Sequence, residues 1–447
     1  MKYTEEYKEK LHTPQEAVKV VKSGDYVQYN SYNGNPSTLD RALAARKEEL
    51  EGVIIGTSVT LYPLYTISSD PEGKHFIYHN WHASGFDRKI AQTGNYYYVP
   101  ALYYEMPLMM KRSKLIDVAM IQVGPMDERG YFSFGAAAAH AKMIADNATT
   151  VVVEVNNNMP SVLGGRDEAI HISEVDIVAE GDHLPLFTIP QLEPSDDERK
   201  IAALLLEEIE DGACLQLGIG GLPNMVGELV AQSDLKDLGV HSEMLADAHM
   251  KMFLSGRVTG KRKVLDPGKM VYAFAMGSKE LYEFIDGNPA CATYPVWHVN
   301  VPHVIAQNPK MVAINGAIEI DLFSQINSES VGPRQISGTG GQVDFMLGSY
   351  MSAGGKGIIC MTSTYTNHKG EVRSRIRPTL DPGTIVTVPR TIAHYVATEY
   401  GVVDLKAKST WQRAEALISI AHPRYQDELI REAQRMNIWR QTNKIPN

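Results

Sequence analysis

Apolar and β-branched residues gather in short runs along the chain: Val53-Ile54-Ile55, Asp117-Val118-Ala119-Met120-Ile121, Thr150-Val151-Val152-Val153-Glu154-Val155, Met311-Val312-Ala313-Ile314, Gly357-Ile358-Ile359-Cys360-Met361 and Thr384-Ile385-Val386-Thr387-Val388. The apolar positions are near-continuous rather than alternating, the pattern of strands buried on both faces. Sheets of that kind are parallel or mixed and are covered by helices. Between the runs the spacing turns helical, over residues 199–209 and 278–284 and again over 410–420 and 426–437, where His422-Pro423 breaks the pattern. Ser195 stands three residues before Glu198 at the first of these, the signature of a capping box.

The order of elements repeats. Ser23-Gly24-Asp25-Tyr26-Val27-Gln28-Tyr29 reads as a turn and a strand, Gly34-Asn35-Pro36 as a loop, and Leu39 with Leu43 as a helix face. Asp211-Gly212-Ala213-Cys214-Leu215-Gln216-Leu217, then Gly220-Gly221-Leu222-Pro223, then Val226 with Leu229 run through the same order. The glycine-to-proline spacing is 12 residues in the first copy (Gly24 to Pro36) and 11 in the second (Gly212 to Pro223). Lys74-His75-Phe76-Ile77-Tyr78 ahead of Phe86-Asp87-Arg88-Lys89 likewise parallels Met270-Val271-Tyr272-Ala273-Phe274 ahead of the helical stretch 278–284. The predicted fold class is α/β: two tandem, structurally related open α/β domains with mostly parallel or mixed sheets covered by helices. The polar, proline-flanked stretch from Pro190 to Glu198 predicts the boundary, giving an amino-terminal domain over 1–193 and a carboxy-terminal one over 194–447.

Composition changes the picture mainly by exclusion. At 447 residues, 44% hydrophobic and 21% charged, the chain is long enough for two cores. A formal net charge of -10 argues against a nucleic-acid or anionic-membrane surface. No apolar run approaches the roughly 20 residues that cross a bilayer, and Met1-Lys2-Tyr3-Thr4-Glu5-Glu6 lacks a signal-peptide core. The expectation is a cytoplasmic protein with neither nucleic-acid nor membrane partners. Cys214, Cys291 and Cys360 are isolated thiols that suggest no disulfide framework and no zinc spacing, so no metal is expected.

Five features are candidates for chemistry. Gly218-Ile219-Gly220-Gly221-Leu222-Pro223-Asn224 follows the strand-like Cys214–Leu217 and would leave backbone amides free at a helix start, although a plain βα connection reads the same way. The turn departs from GxGxxG, which disfavours a dinucleotide site. About one βα unit later, Glu243 stands in Leu238-Gly239-Val240-His241-Ser242-Glu243-Met244. Alone it reads as a helix-start residue favoured by the macrodipole; at the mouth of an open sheet, beside bare amides, it reads as a nucleophile toward an activated acyl group. A second glycine loop, Ser337-Gly338-Thr339-Gly340-Gly341-Gln342-Val343-Asp344-Phe345, presents amides and Gln342 to a carbonyl, or else is a tight turn into a helix over 345–351. Lys356, among glycines in Ser352-Ala353-Gly354-Gly355-Lys356-Gly357, suits a phosphate as a point charge or is a solvated loop lysine. Glu399, in Ala397-Thr398-Glu399-Tyr400-Gly401, ends a strand, with Arg390 or Arg413 as its candidate ion-pair partner.

Together the glycine turn at 218–224, His241-Ser242-Glu243-Met244, the loop 337–345 and Thr398-Glu399-Tyr400-Gly401 resemble the acetyl-CoA hydrolase/transferase branch of the family I CoA-transferases, over nearly the whole chain. Asp127-Glu128-Arg129-Gly130-Tyr131-Phe132-Ser133 and Ala421-His422-Pro423 resemble it too. The resemblance implies an acyl-CoA:carboxylate CoA-transferase working by double displacement, with no permanently bound cofactor and with CoA as both substrate and covalent intermediate. Glu243 is then the catalytic nucleophile. Gly218, Ile219, Gly220, Gly221 and Leu222 are implied to contact CoA near the pantetheine, Ile318 to line that arm, Gly341 to lie near the thioester, and Lys356 to meet a phosphate or the pantetheine. Gly340, Gly341 and Gln342 fall to the oxyanion contact, Asn33, Gly34, Asn35 and Pro36 to the acyl pocket, and Glu399 to orienting a site group. The implied partners are acyl-CoA and short-chain carboxylates: butyryl-CoA with acetate, and 4-hydroxybutyryl, propionyl or acetyl as close alternatives. Acyl-CoA hydrolysis and a non-catalytic CoA sensor are the competing readings, and a homodimer or homotetramer is the implied assembly.

Overall fold

Five of the six apolar runs are strands of two eight-stranded sheets in the computed structural model, which describes residues 3–190, 193–218 and 220–440. The first sheet holds β1 (Leu11–His12), β2 (Tyr26–Tyr29), β3 (Val53–Thr57), β4 (Phe76–Asn80), β5 (Tyr97–Tyr98), β6 (Val118–Val123), β7 (Thr150–Val155) and β8 (Ile177–Glu180), in the order β1-β8-β7-β6-β2-β3-β4-β5. The second holds β9 (Cys214–Leu217), β10 (Gly239–Leu245), β11 (Met270–Ala275), β12 (Cys291–Thr293), β13 (Met311–Gly316), β14 (Lys356–Cys360), β15 (Tyr395–Thr398) and β16 (Gly401–Asp404), in the order β12-β11-β10-β9-β13-β14-β15-β16. Read from its other edge, the second sheet places β9 where the first has β2, β10 for β3, β11 for β4 and β13 for β6. The halves share one topology, as the repeat predicts. Every pairing in both sheets is parallel except β15 with β16.

Burial explains the continuous apolar runs. Each of the six residues of β6 is buried, and so is each of the six of β11. Helices α1 (Ser37–Ala44), α2 (Asp196–Glu207), α3 (Gly221–Gln232), α4 (Asp247–Leu254) and α5 (Gln342–Met351) are the ones that matter for the site. Ser195 caps α2 and forms the reciprocal box with Glu198. His422 caps the last helix, Pro423–Arg435, with Pro423 at its first position. The sixth run is a correction: Thr384–Val388 is not a strand. Only Val388 bridges, to Ile326, and Ile385 and Val386 are 42% and 38% exposed. Pro382-Gly383 before it and Pro389 after it leave no length to enter a sheet.

One core cluster draws on both halves, setting Tyr32, Trp81, Tyr103 and Val123 against Met244, Phe274, Val296 and Phe345. Polar contacts cross the same interface. Asn33 Nδ2 donates to Tyr282 Oη at 2.9 Å, and Tyr282 Oη donates to the Phe187 carbonyl at 2.6 Å. We propose 193/194 as the division between the two folding units, since the first sheet ends at Glu180 and the second begins at Cys214. Among the described residues no helix is long and apolar enough to cross a membrane.

Candidate active site

Open parallel sheets bind ligands at the carboxyl ends of their strands, where the strand order reverses. In the second sheet the reversal lies at β9, which is flanked by β10 on one side and β13 on the other. A cavity of about 530 Å³ opens there, lined by Gly218 just after β9, Glu243 on β10, Asn315 and Gly316 at the end of β13, and Cys360 at the end of β14. The ladder between β9 and β10 covers only Cys214–Gly239 and Leu215–Val240, so it stops before the level of Glu243.

Glu243 is the fifth residue of β10, and α4 begins only at Asp247, so a helix-start role is ruled out. Asn300 Nδ2 donates to Glu243 Oε2 at 2.7 Å, and the Gly341 amide donates as well. Burial pushes the Glu243 carboxyl up to about 7 against the pull of those two hydrogen bonds. The same Asn300 amide lies 3.2 Å from Asp344 Oδ2. Burial first, and the charge of Glu243 in addition, hold Asp344 well above the usual carboxylate range. Two carboxyls therefore share one amide, and burial holds both toward the protonated form. Gly341 completes the arrangement by having no side chain: a Cβ there would run into the Glu243 carboxylate and the Asn300 amide.

The glycine segments converge on this carboxylate. Gly218, Gly220, Gly221, Leu222, Gly340, Gly341 and Gln342 all line the cavity. Gly220, at φ 118, precedes α3 as its cap residue and offers no side-chain cap, which leaves amides of the first turn without one. Gln342 Nε2 donates to the Gly316 carbonyl at 2.7 Å, and its buried Oε1 has no partner among the described residues. Ile219 lies outside the described residues. Ile318 stands just beyond the lining residues Gly316 and Ala317, and its carbonyl accepts from Arg375 at 2.8 Å.

Other expectations are corrected. Lys356 begins β14 and is bound to Glu208, 2.8 Å from Oε2 and 3.1 Å from the carbonyl. That is the amino end of the strand, about 13 Å from the cavity end at 3.3 Å per residue. Asn33 and Gly34 do not face the carboxylate: Asn33 bridges the halves, and Gly34 is packed against Asn30 and Ala137. Asn35 and Pro36 line a separate small cleft with Tyr62 and Leu64. Glu399 pairs with neither Arg390 nor Arg413; it accepts from the Ser363 amide at 2.8 Å and from the Ser363 hydroxyl. Because Thr362 lines the cavity, Glu399 steadies its wall through the neighbouring backbone.

Several site residues escape sequence reasoning. An inner cavity of about 180 Å³ shares Glu243 with the outer one and is lined by Tyr32, Val59, Tyr103, Met244, Phe274 and Phe345, among others. Tyr32 and Tyr103 come from the first half, as does His82, whose Nε2 is 3.0 Å from Ser337 Oγ and which burial holds down to about 4. Arg375 lines the outer cavity and lies over the Tyr365 ring at 5.0 Å. Asn300 carries a faint signal, a polar residue between Val299 and Val301 ahead of Pro302. Tyr32, Val59, Tyr103, Phe274 and Phe345 look like core positions in the sequence, and nothing in their spacing marks His82 or Arg375.

A carboxylate of raised affinity for its proton thus stands between a roomy cavity of mixed polarity and a small, mainly apolar one. The acetyl-CoA hydrolase/transferase N-terminal domain matches residues 1–190, and the C-terminal domain of the same family matches 277–433. The chain is 50% identical to a probable butyrate:acetyl-CoA coenzyme A-transferase of Syntrophomonas wolfei, covering 99% of both chains. To a butyryl-CoA:acetate CoA-transferase of Anaerostipes caccae it is 46% identical, covering 99% of this chain and 100% of that one. The crystal structure of RipA from Yersinia pestis superposes with a TM-score of 0.91 at 37% identity, covering 98% of this chain and 100% of that one. The chain belongs to the acetyl-CoA hydrolase/transferase family.

Proposed function

We propose that the protein is a CoA-transferase that moves CoA from butyryl-CoA to acetate, giving butyrate and acetyl-CoA, through a thioester on Glu243. The observation that carries this reading is the position of the Glu243 carboxylate at the junction of the two cavities. The outer cavity, with its glycine backbone and Arg375, suits the long polar arm of CoA. The inner one suits the acyl chain: a dry cavity of ~150 Å³ holds benzene, so about 180 Å³ holds a four-carbon acyl group with room to spare.

In this mechanism the Glu243 carboxylate attacks the thioester carbonyl and expels CoA as the thiolate, leaving a mixed anhydride of Glu243 and butyrate. The thiolate attacks the glutamyl carbonyl, butyrate leaves, and Glu243 holds CoA as a thioester. Acetate then runs both steps in reverse. Each thioester broken is replaced by another, so its free energy is retained. The Gly340 and Gly341 amides are the proposed oxyanion donors, and burial keeps the carboxylate poorly hydrated and therefore reactive. By family resemblance the proposed setting is a cytoplasmic homodimer or homotetramer.

Incubation with butyryl-CoA, with and without acetate, tests the reading. Acetyl-CoA formation equal to butyryl-CoA loss, and little loss without acetate, is expected. Loss that ignores acetate would make the protein a hydrolase instead. Retention of most activity by Glu243→Ala would remove the proposed nucleophile.

A further inference from the structure

Two phenols at the inner cavity stand with their hydroxyls against each other. Tyr32 Oη and Tyr103 Oη are 2.6 Å apart and buried, and among the described residues neither oxygen has another partner. Two hydroxyls carry two protons, and one O–H···O bond uses one of them. The other proton has no acceptor in hydrogen-bonding reach among the described residues other than across the cavity that both residues line, so it faces whatever that cavity holds. Both residues line the cavity that ends on Glu243, so the spare donor belongs to the wall of the acyl pocket.

The placement of Tyr32 is enforced. Its backbone sits at φ 57, in the left-handed region where a bulky side chain is an outlier, and such strain gathers at ligand clamps. Its neighbour Asn33 is bound on three sides, by Tyr282, Phe187 and Gln122. The Tyr32 ring lies flat on Phe274, 3.8 Å between centroids and 11° between planes. The charge of the pocket limits what the spare donor can meet. Among the described residues no lysine or arginine lines the cavity. His82 at its wall, and His140, whose ring meets Tyr103 edge-on at 4.6 Å, are both held down to about 4 by burial and are neutral. A second carboxylate would find no cation there and would face ionised Glu243, so a dicarboxylic acyl group is disfavoured. A neutral polar group is not.

We propose that the Tyr32–Tyr103 hydroxyl pair reads the far end of the acyl chain, hydrogen-bonding a neutral polar group there, so that a short acyl group ending in a hydroxyl is accepted alongside the plain alkyl chain. This rests on the CoA-transferase reading of the site. With a chain that ends in a methyl the two hydroxyls keep their bond to each other and the second proton gains no partner from the chain, so the pair favours the hydroxyl end without being needed for the alkyl one.

The test compares 4-hydroxybutyryl-CoA with butyryl-CoA in the parent enzyme, Tyr103→Phe and Tyr32→Phe. The readout is the ratio of kcat/KM for the two donors with acetate as acceptor. The variant that removes the hydroxyl facing the chain is expected to lower that ratio about tenfold, the worth of one hydrogen bond, whatever happens to absolute activity. An unchanged ratio in both variants, including equal loss on both donors, assigns the pair a packing role and overturns the proposal. The same ratio is measured as binding constants in the Glu243→Ala background, which needs no turnover. A parent enzyme that transfers nothing, while Glu243→Ala still shows the tyrosine-dependent binding ratio, refutes the transferase reading and leaves the pocket reading standing. Normal transfer with an indifferent binding ratio does the reverse.

Discussion

In the proposed mechanism Glu243 must be anionic to attack a thioester, yet burial withdraws it from water, and the balance between these demands sets the expected response to pH. With the carboxyl pushed up to about 7, kcat/KM is expected to fall as pH drops below 7, on an acid limb with an apparent pKa near that value. A pH profile flat down to pH 5 would mean the nucleophile is not this group. Stability runs the other way. Between the ordinary carboxyl value of 4.5 and about 7, the folded protein holds a proton that the unfolded chain has lost, so this residue costs stability as pH rises through that window. Glu243→Gln is therefore expected to be more stable than the parent at pH 8, by on the order of 1–3 kcal/mol, with the gap closing below pH 4.5; thermal melts at the two pH values check it. Gly341 is the other residue whose role is steric. Gly341→Ala is expected to displace the carboxylate and lower kcat/KM by about a hundredfold or more, the usual result of misplacing a reacting group by an ångström, with little change in melting temperature. At this scale the sequence carries Glu243 and its glycines as motifs. It carries Asn300 only faintly, Asp344 only as a member of the second glycine loop and Tyr32 not at all, because a buried tyrosine, asparagine or aspartate looks the same whether it serves packing or a site.

The elements explain why some predicted contacts fail. Strands of a parallel sheet all present their carboxyl ends to one side, so a residue that opens a strand cannot reach a ligand bound where the strands finish. Lys356 opens β14 and Cys360 closes it, and only Cys360 lines the cavity. Lys356→Ala is accordingly expected to leave the KM for acyl-CoA unchanged and to lower stability by about 1 kcal/mol through loss of the partly buried Glu208 pair; a severalfold rise in KM would return this lysine to the binding site. The strands themselves were legible because burial on both faces writes a continuous apolar run. The same signature misleads at Thr384–Val388, where flanking prolines decide against a ladder that composition alone suggests. Glycine turns were legible for a related reason, since the φ of 118 at Gly220 suits glycine and few other residues.

The whole molecule is two copies of one topology, of which the second carries the proposed nucleophile and the first contributes to the wall of the inner cavity. By the pairing registers Tyr26–Ile54 and Cys214–Gly239, the position four residues on is Ser58 in the first half and Glu243 in the second. The Ser58 hydroxyl is bonded to Ser31 at 2.6 Å, so the first copy presents no carboxylate there. What the first half supplies instead is Tyr32, Val59, His82 and Tyr103 across the shared core. The duplication could be read from the chain because strand, glycine loop and helix recur at matching spacing, whereas the face-to-face docking of the halves depends on contacts far apart in sequence. All of this converges on one claim, that Glu243 carries CoA between two acids. Incubating the enzyme with butyryl-CoA in the absence of acetate, then measuring its intact mass and mapping the modified peptide, tests that claim directly. The account requires an adduct of CoA less one water on the peptide containing Glu243, absent from Glu243→Ala; no adduct, or one mapped to another residue, would contradict it.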